Sequence, residues 1–219
     1  MSDRLNLPVY ANYAEPDAEG RMVAPSATRN VDAVCELVVA HAPKVGNALE
    51  IASGTGQHTV ALAQRLPGLS WQPSDIDAAR RASVDAWART ETLENIAPAI
   101  ELNATAPGWG KAHSGQALIL LSNLLHLISE LETRTLISET AQALEGGAVF
   151  ILYGPFLRDG ECTSENDEIF NASLINQDPE IGYKDDWDII DWVQDSFLEL
   201  VQVVEMPSNN LGFVARKLA

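Results

Sequence analysis

The run Glu50-Ile51-Ala52-Ser53-Gly54-Thr55-Gly56-Gln57 decides the fold. It follows a short apolar stretch, Ala48 to Ala52, that reads as a strand. It precedes Gln57 to Leu66, which reads as a helix stopped by Pro67-Gly68. Glycines between a strand and a helix let the backbone turn sharply and approach a ligand where no side chain fits. The dinucleotide fingerprint asks for G-x-G-x-x-G. Here Ala52 stands at the first glycine, Gly54 and Gly56 follow, and Thr59 stands three residues on. That is a poor cradle for a diphosphate, and the acidic Glu50 at the strand end opposes one.

Outward from this turn the chain alternates strand and helix. A helix runs from Ser26 or Thr28, either of which suits a cap, to about His41. After the glycine turn come a strand at Leu69 to Pro73, a helix at Ile76 to Arg89 and a strand at Ile96 to Leu102. The aliphatic run Ala117 to Leu121 suits a strand buried on both faces. Leu131 to Leu144 reads as a helix closed by Gly146-Gly147, and Ala148 to Tyr153 as a fifth strand. Leu198 to Glu205 and Leu211 to Arg216, joined by Pro207-Ser208-Asn209-Asn210, form a terminal antiparallel hairpin. The expected fold is α/β, a Rossmann-like, mostly parallel sheet with helices on both faces.

The 219 residues suit a single domain, 1–219, with an irregular leader and helix over residues 1–45. Residues 157–198 break the rhythm. They read as two helices, Ser164 to Ile175 and Asp185 to Phe197, about an Asp178-Pro179 turn, with acidic residues far outnumbering Arg158 and Lys184. A solvated face is one reading of this insertion and a lid over a site is the other.

Lys and Arg number 14 against 31 Asp and Glu, a formal net charge of −17. Such a surface has few cations with which to release counterions, so nucleic acid and anionic membrane are not expected partners. No apolar run approaches the roughly 20 residues of a membrane span, and Met1-Ser2-Asp3-Arg4 opens no signal core. Cys35 and Cys162 lie far apart, and the four histidines are scattered, so no metal site is expected. A reduced, cytoplasmic chain is the simplest reading.

An acid beside a glycine turn suits a cation. S-adenosylmethionine carries an ammonium and a sulfonium and no phosphate. Glu50 can face its methionyl end while the turn packs on the nucleoside, with local capping or pairing as its alternative role. A second acid, Asp75, ends the next strand at about the spacing expected for a ribose-binding carboxylate. Asp77 competes with it, and helix capping is the alternative role for both.

With these residues in place the sequence resembles the class I S-adenosylmethionine-dependent methyltransferases. More narrowly, it is similar to the methyltransferase-like protein 26 family, a domain of unknown function. The likeness rests on Arg29-Asn30, on Leu49 to His58, and on Trp71-Gln72-Pro73-Ser74-Asp75. It extends to Asn123 with His126, Leu152 to Phe156, Asp178-Pro179 and Met206-Pro207 with Asn209-Asn210. It implies a seven-stranded sheet with the last strand antiparallel, S-adenosylmethionine as cofactor, and Arg29 and Asn30 closing over the pocket. In that family basic residues flank the Asp-Pro turn; here Ile175, Gln177 and Lys184 occupy the region. The strand end Ser122-Asn123-Leu124-Leu125 also differs from the Asn/Asp-Pro-Pro-aromatic tetrad of amino-methylating enzymes.

Ligands of such sheets bind at the carboxyl ends of the strands. The expected cofactor residues are Asn30, Glu50, Ser53, Gly54, Gly56, Asp75, Ile76, Asn103, Ala104 and Ser122. Asn103 and Ala104 should lie near adenine, and Ser122 and Asn123 under the methyl. His126 is a candidate base, with a core or capping histidine as its alternative. Tyr153 is a candidate for orienting substrate, with packing as its alternative. His58 reads as a local hydrogen-bonding residue. The expected activity is methyl transfer to an oxygen, nitrogen or sulfur nucleophile of a small molecule, with homodimerisation left open. A cofactor-binding module without chemistry is the alternative, and an NAD-dependent oxidoreductase fits the broken glycine pattern least.

Overall fold

The sheet is built around the strand that carries the glycine turn. In this computed structural model, which describes residues 15–219, β1 (Gly46–Ile51) is flanked by β2 (Leu69–Asp75) and β4 (Gln116–Ser122), both parallel to it. β3 (Ile100–Glu101) lies outside β2, and β5 (Leu144–Pro155) runs parallel beside β4. The hairpin of β6 (Leu198–Met206) and β7 (Asn210–Lys217) completes seven strands in the order β3-β2-β1-β4-β5-β7-β6. β7 is antiparallel to both of its neighbours. This is the Rossmann-like fold of methyltransferases, with the C-terminal hairpin that the sequence indicates.

Side chains alternate across the sheet, so each strand feeds two cores. Ala48, Leu118, Leu120, Val149, Ile151 and Tyr153 face α1 (Pro25–His41) and α2 (Gln57–Arg65). Leu49, Ile51, Ile119, Leu121, Phe150 and Leu152 face the other side. There they meet α5 (Glu130–Ala143), α7 (Asp186–Asp195) and Trp109 of the short α4 (Trp109–Ala112). α3 (Ala78–Thr90) packs beside α2, and Val84 is fully buried. Each fully buried Val, Leu, Ile or Phe contributes about 1.5–3 kcal/mol of burial.

Four local expectations are corrected. Neither Ser26 nor Thr28 caps α1; Ala24 is the N-cap and Pro25, whose missing N–H costs nothing in the first turn, starts the helix. The third strand shrinks to Ile100–Glu101, with one further bridge between Trp71 and Ile96, because Pro98 interrupts pairing. Gly146-Gly147 do not close α5. β5 begins at Leu144, and both glycines lie where its register against β4 shifts. α3 starts at Ala78, capped by Asp77.

The acidic stretch divides in two. α7 buries Ile189, Trp192 and Val193 in the main core and serves as the helix before β6. α6 (Glu165–Gln177) buries only Leu174 and leaves Ile169 and Ile175 exposed. Of the expected leader, residues 1–14 lie outside the described residues. Residues 15–24 are held on α3: Met22 N–H donates to Ser83 Oγ at 2.8 Å, and Trp87 Nε1 donates to the Met22 carbonyl at 3.0 Å. Among the described residues, no helix is long and apolar enough to cross a membrane.

Candidate functional site

The turn after β1 is strained where the fingerprint would place glycine. Ala52 adopts φ +53°, and Gly54 and Gly56 follow at +59° and +93°. A non-glycine residue in this region stores strain, as does Asn123 at φ +55° after the adjacent β4. The strand ends are tied together beneath the turn. Ser53 N–H donates to the Ser74 carbonyl at 2.8 Å, Ser74 N–H to Ser53 Oγ at 3.1 Å, and Ser74 Oγ to the Glu50 carbonyl at 2.8 Å.

Two acids occupy this floor. Glu50 is 1% exposed; one oxygen accepts a short hydrogen bond from Thr59 Oγ1 of α2, and Oε1 is buried with no partner. Burial pushes its carboxyl up to about 7, against the Thr59 and Ser53 hydrogen bonds and with help from the Asp75 charge. Asp75 Oδ2 accepts from Gly54 N–H at 3.0 Å and Oδ1 from Asp77 N–H at 2.9 Å, while the Arg80 guanidinium lies 4.0 Å away. Burial raises its pKa, opposed by these partners. Asp77 is the helix cap, accepting from Ala79 and Arg80 N–H, so the capping role falls to Asp77 and not to Asp75.

A carboxyl with a raised folded-state pKa binds its proton more tightly folded than unfolded. Its contribution to stability is full below the ordinary value of 4.5 and is lost as pH rises through about 7. Glu50→Gln keeps the shape and removes the titration. The variant should match wild type near pH 4.5 and exceed it by about 3 kcal/mol above pH 8, read from the difference between melting profiles. A difference independent of pH would refute this.

The remaining candidates fall around this floor. Ile76 is half-buried and its carbonyl accepts from Arg81 at 2.8 Å. Asn103 is exposed, its Oδ1 accepting from Thr105 N–H and Oγ1, and the Ala104 carbonyl accepts from Trp109 Nε1 at 3.0 Å. Ser122 pairs in register with Tyr153, and Asn123 N–H donates to the Tyr153 carbonyl at 2.8 Å.

Asn30, His58 and Tyr153 form one buried polar group on the α1/α2 face. His58 Nε2 and Asn30 Oδ1 are 2.9 Å apart, and Asn210 Nδ2 donates to the Tyr153 hydroxyl at 2.8 Å. Burial depresses the His58 imidazole to about 4, so it is neutral. Arg29, beside Asn30, is exposed.

His126 lies in different surroundings. Its ring packs against Phe170 of α6 and Tyr183, centroids 5.9 and 6.2 Å away, and the Gly182 N–H donates to its carbonyl. Burial, and the nearby Lys184 ammonium, depress it to about 3, and its Nδ1 is buried with no partner. Lys184 gives its own ammonium to the Ile128 and Gly182 carbonyls at 2.8 Å, so it is internal to the fold, not a surface cation. Asn123 thus adjoins Tyr153 through the backbone, while His126 stands apart under α6.

Thr59 as the partner of Glu50, and Asn210 as the partner of Tyr153, are the residues that sequence reading missed. Thr59 left one trace, a hydroxyl on the first turn of α2 where the fingerprint wants glycine. Among the described residues, no cluster of three His, Cys, Asp or Glu suits a metal ion.

The model of the family described as a protein of unknown function, DUF938, matches residues 21–217. Solved structures that share this architecture include methyltransferases. An O-methyltransferase family protein from Burkholderia thailandensis superposes with a TM-score of 0.76 at 18% identity, over 89% of this chain and 57% of that one. A putative O-methyltransferase from Nostoc punctiforme gives 0.77 at 18% identity, over 88% and 57%. A geranyl diphosphate C-methyltransferase from Streptomyces coelicolor, solved with Mg2+, geranyl diphosphate and S-adenosylhomocysteine, gives 0.71 at 13% identity, over 87% and 80%. The chain therefore spans 57% of the length of the first two, and at these identities the likeness is one of fold.

Proposed function

The chain belongs to the DUF938 family, and from its fold and its site we propose an S-adenosylmethionine-dependent methyltransferase acting on an oxygen, nitrogen or sulfur atom of a small molecule. The observation that carries this reading is the floor of the glycine turn. Glu50, near the end of β1, holds a buried oxygen without a partner, and Asp75 closes the turn from β2. An orphaned carboxyl oxygen fits an ammonium, and two acids beside the turn disfavour a diphosphate. The run Leu49 to His58 further supports assignment to the methyltransferase-like protein 26 group.

S-adenosylmethionine, when bound, supplies a methyl group activated on a positive sulfonium. Glu50 would face the methionyl ammonium and Asp75 the ribose hydroxyls. Asn103 and Ala104 would border adenine, while Ser53, Gly54, Gly56 and Ile76 line the bend and Asn30 closes it. Ser122 and Asn123 would border the nucleophile as it is aligned with the methyl. Alignment in a water-excluded pocket supplies much of the rate, several kcal/mol or more. His126 would take the proton of an incoming O–H, N–H or S–H at Nδ1, the orphan atom that such a donor satisfies. The acceptor must then displace Phe170 and Tyr183, which relieves the burial that now weakens this base. The acidic surface favours a neutral or cationic acceptor and no nucleic acid. We place the chain in the cytoplasm, as a monomer or homodimer.

A second reading, a cofactor-binding module without chemistry, is favoured by the packing of Phe170 and Tyr183 over His126. Calorimetry separates the cofactor alternatives. Micromolar binding of S-adenosylmethionine or S-adenosylhomocysteine is expected, and heat with NAD alone would reverse the cofactor assignment. Release of S-adenosylhomocysteine in a metabolite screen, absent in His126→Ala, distinguishes the enzyme from the module.

A further inference from the structure

A phenol offers one proton and two lone pairs. At Tyr153, which is 1% exposed, amides occupy the acceptor side of the oxygen. Asn210 Nδ2 donates to it at 2.8 Å. The Asn30 amide also favours the ionised form of that oxygen. In this arrangement the Asn30 oxygen is turned to His58, whose Nε2 lies 2.9 Å away. Burial nevertheless raises the Tyr153 pKa, so the hydroxyl keeps its proton. Among the described residues that proton has no acceptor. A buried O–H donor without an acceptor is costly unless a ligand completes it.

The position says which ligand atom. Glu50 is two residues beyond Ala48, so its side chain shares the α1/α2 face with Tyr153. Glu50 aligns with Leu120, and Leu120 with Ile151, so Tyr153 stands two strands across and two residues further up. That is a gap of about 10 Å laterally, into which both side chains reach. His58 and Thr59, consecutive on α2, hold the two ends of the gap. A group with an ammonium and a carboxylate on one carbon fits it, the ammonium towards Glu50.

We propose that the Tyr153 hydroxyl donates to the carboxylate of the bound methionyl group, with Asn30, Asn210 and His58 as its positioning residues. This rests on the cofactor reading above. The test is calorimetry of wild type, Tyr153→Phe and Asn210→Asp with S-adenosylhomocysteine and with its decarboxylated analogue, which keeps the amine. Tyr153→Phe should bind S-adenosylhomocysteine about 10- to 100-fold more weakly, the worth of a hydrogen bond to a charged group, and bind the analogue as wild type does. Asn210→Asp should do the same, because its carboxylate captures the tyrosine proton. Unchanged affinity in Tyr153→Phe, or equal losses for both ligands, overturns the proposal. Wild type that binds neither ligand overturns instead the cofactor reading. Melting temperatures within a few degrees of wild type show that both variants are folded.

Discussion

Asp75→Ala should lower affinity for S-adenosylhomocysteine about 100-fold or more while leaving the fold intact. A carboxylate accepting from two ribose hydroxyls makes two charge-assisted hydrogen bonds, each worth about 1.5–3 kcal/mol. Their joint loss is a factor of at least ~100 in the dissociation constant. The side chain is well prepared for the role. Gly54 and Asp77 N–H each hold one of its oxygens, at 3.0 and 2.9 Å, and each oxygen keeps a further lone pair. Asp75→Asn keeps one acceptor oxygen and should recover part of the loss. Calorimetry showing wild-type affinity in Asp75→Ala would remove the ribose assignment. Asp77→Ala is the control. It should cost about 1 kcal/mol of stability through the lost α3 cap and should not change affinity.

Gly56→Ala should destabilise the protein by about 2–4 kcal/mol, a fall in melting temperature of roughly 5–15 °C. Two effects add. Gly56 adopts φ +93°, where an L side chain is strained. Its Cβ would also lie 2.9 Å from the Val84 Cα, and a backbone atom of α3 cannot swing aside. Gly54→Ala separates the two roles of the turn. At φ +59° its Cβ would meet nothing nearer than the Ala52 carbonyl oxygen at 4.0 Å, so the cost should stay near 1 kcal/mol. The added methyl would nevertheless stand over the cofactor bend and weaken binding. Equal melting temperatures for the two variants would show that the α2–α3 contact matters less than the geometry indicates.

These glycines were legible because their spacing and flanking strand are local features. The same holds for Ala117 to Leu121, whose aliphatic run reports burial on both faces. Legibility fails where a distant element decides. α4 is only four residues, Trp109-Gly110-Lys111-Ala112, too short to show a helical pattern, and it is set by Glu139 of α5, which accepts the Gly110 N–H at 2.7 Å. Asp75 and Asp77 are two residues apart and chemically identical, so only the start of α3 assigns the cap. Nothing near His126 announces that Phe170, Tyr183 and Lys184 converge on it from beyond β5. Tyr153 was visible as a strand-end tyrosine. Its partner Asn210 lies 57 residues away and looked like an ordinary turn residue.

β7 is inserted between β5 and β6, although β6 is made first. During synthesis on the ribosome, β6 emerges with no sheet edge to join and must wait for the segment that follows it. Until then the α1-to-β5 portion carries an open edge, the kind of surface on which nascent chains misassociate. Asn210, the first residue of β7, arrives with that closing segment. Translation that halts before it therefore yields a molecule whose tyrosine lacks its amide, and on the role proposed for Tyr153 such an unfinished chain would load its nucleoside incompletely.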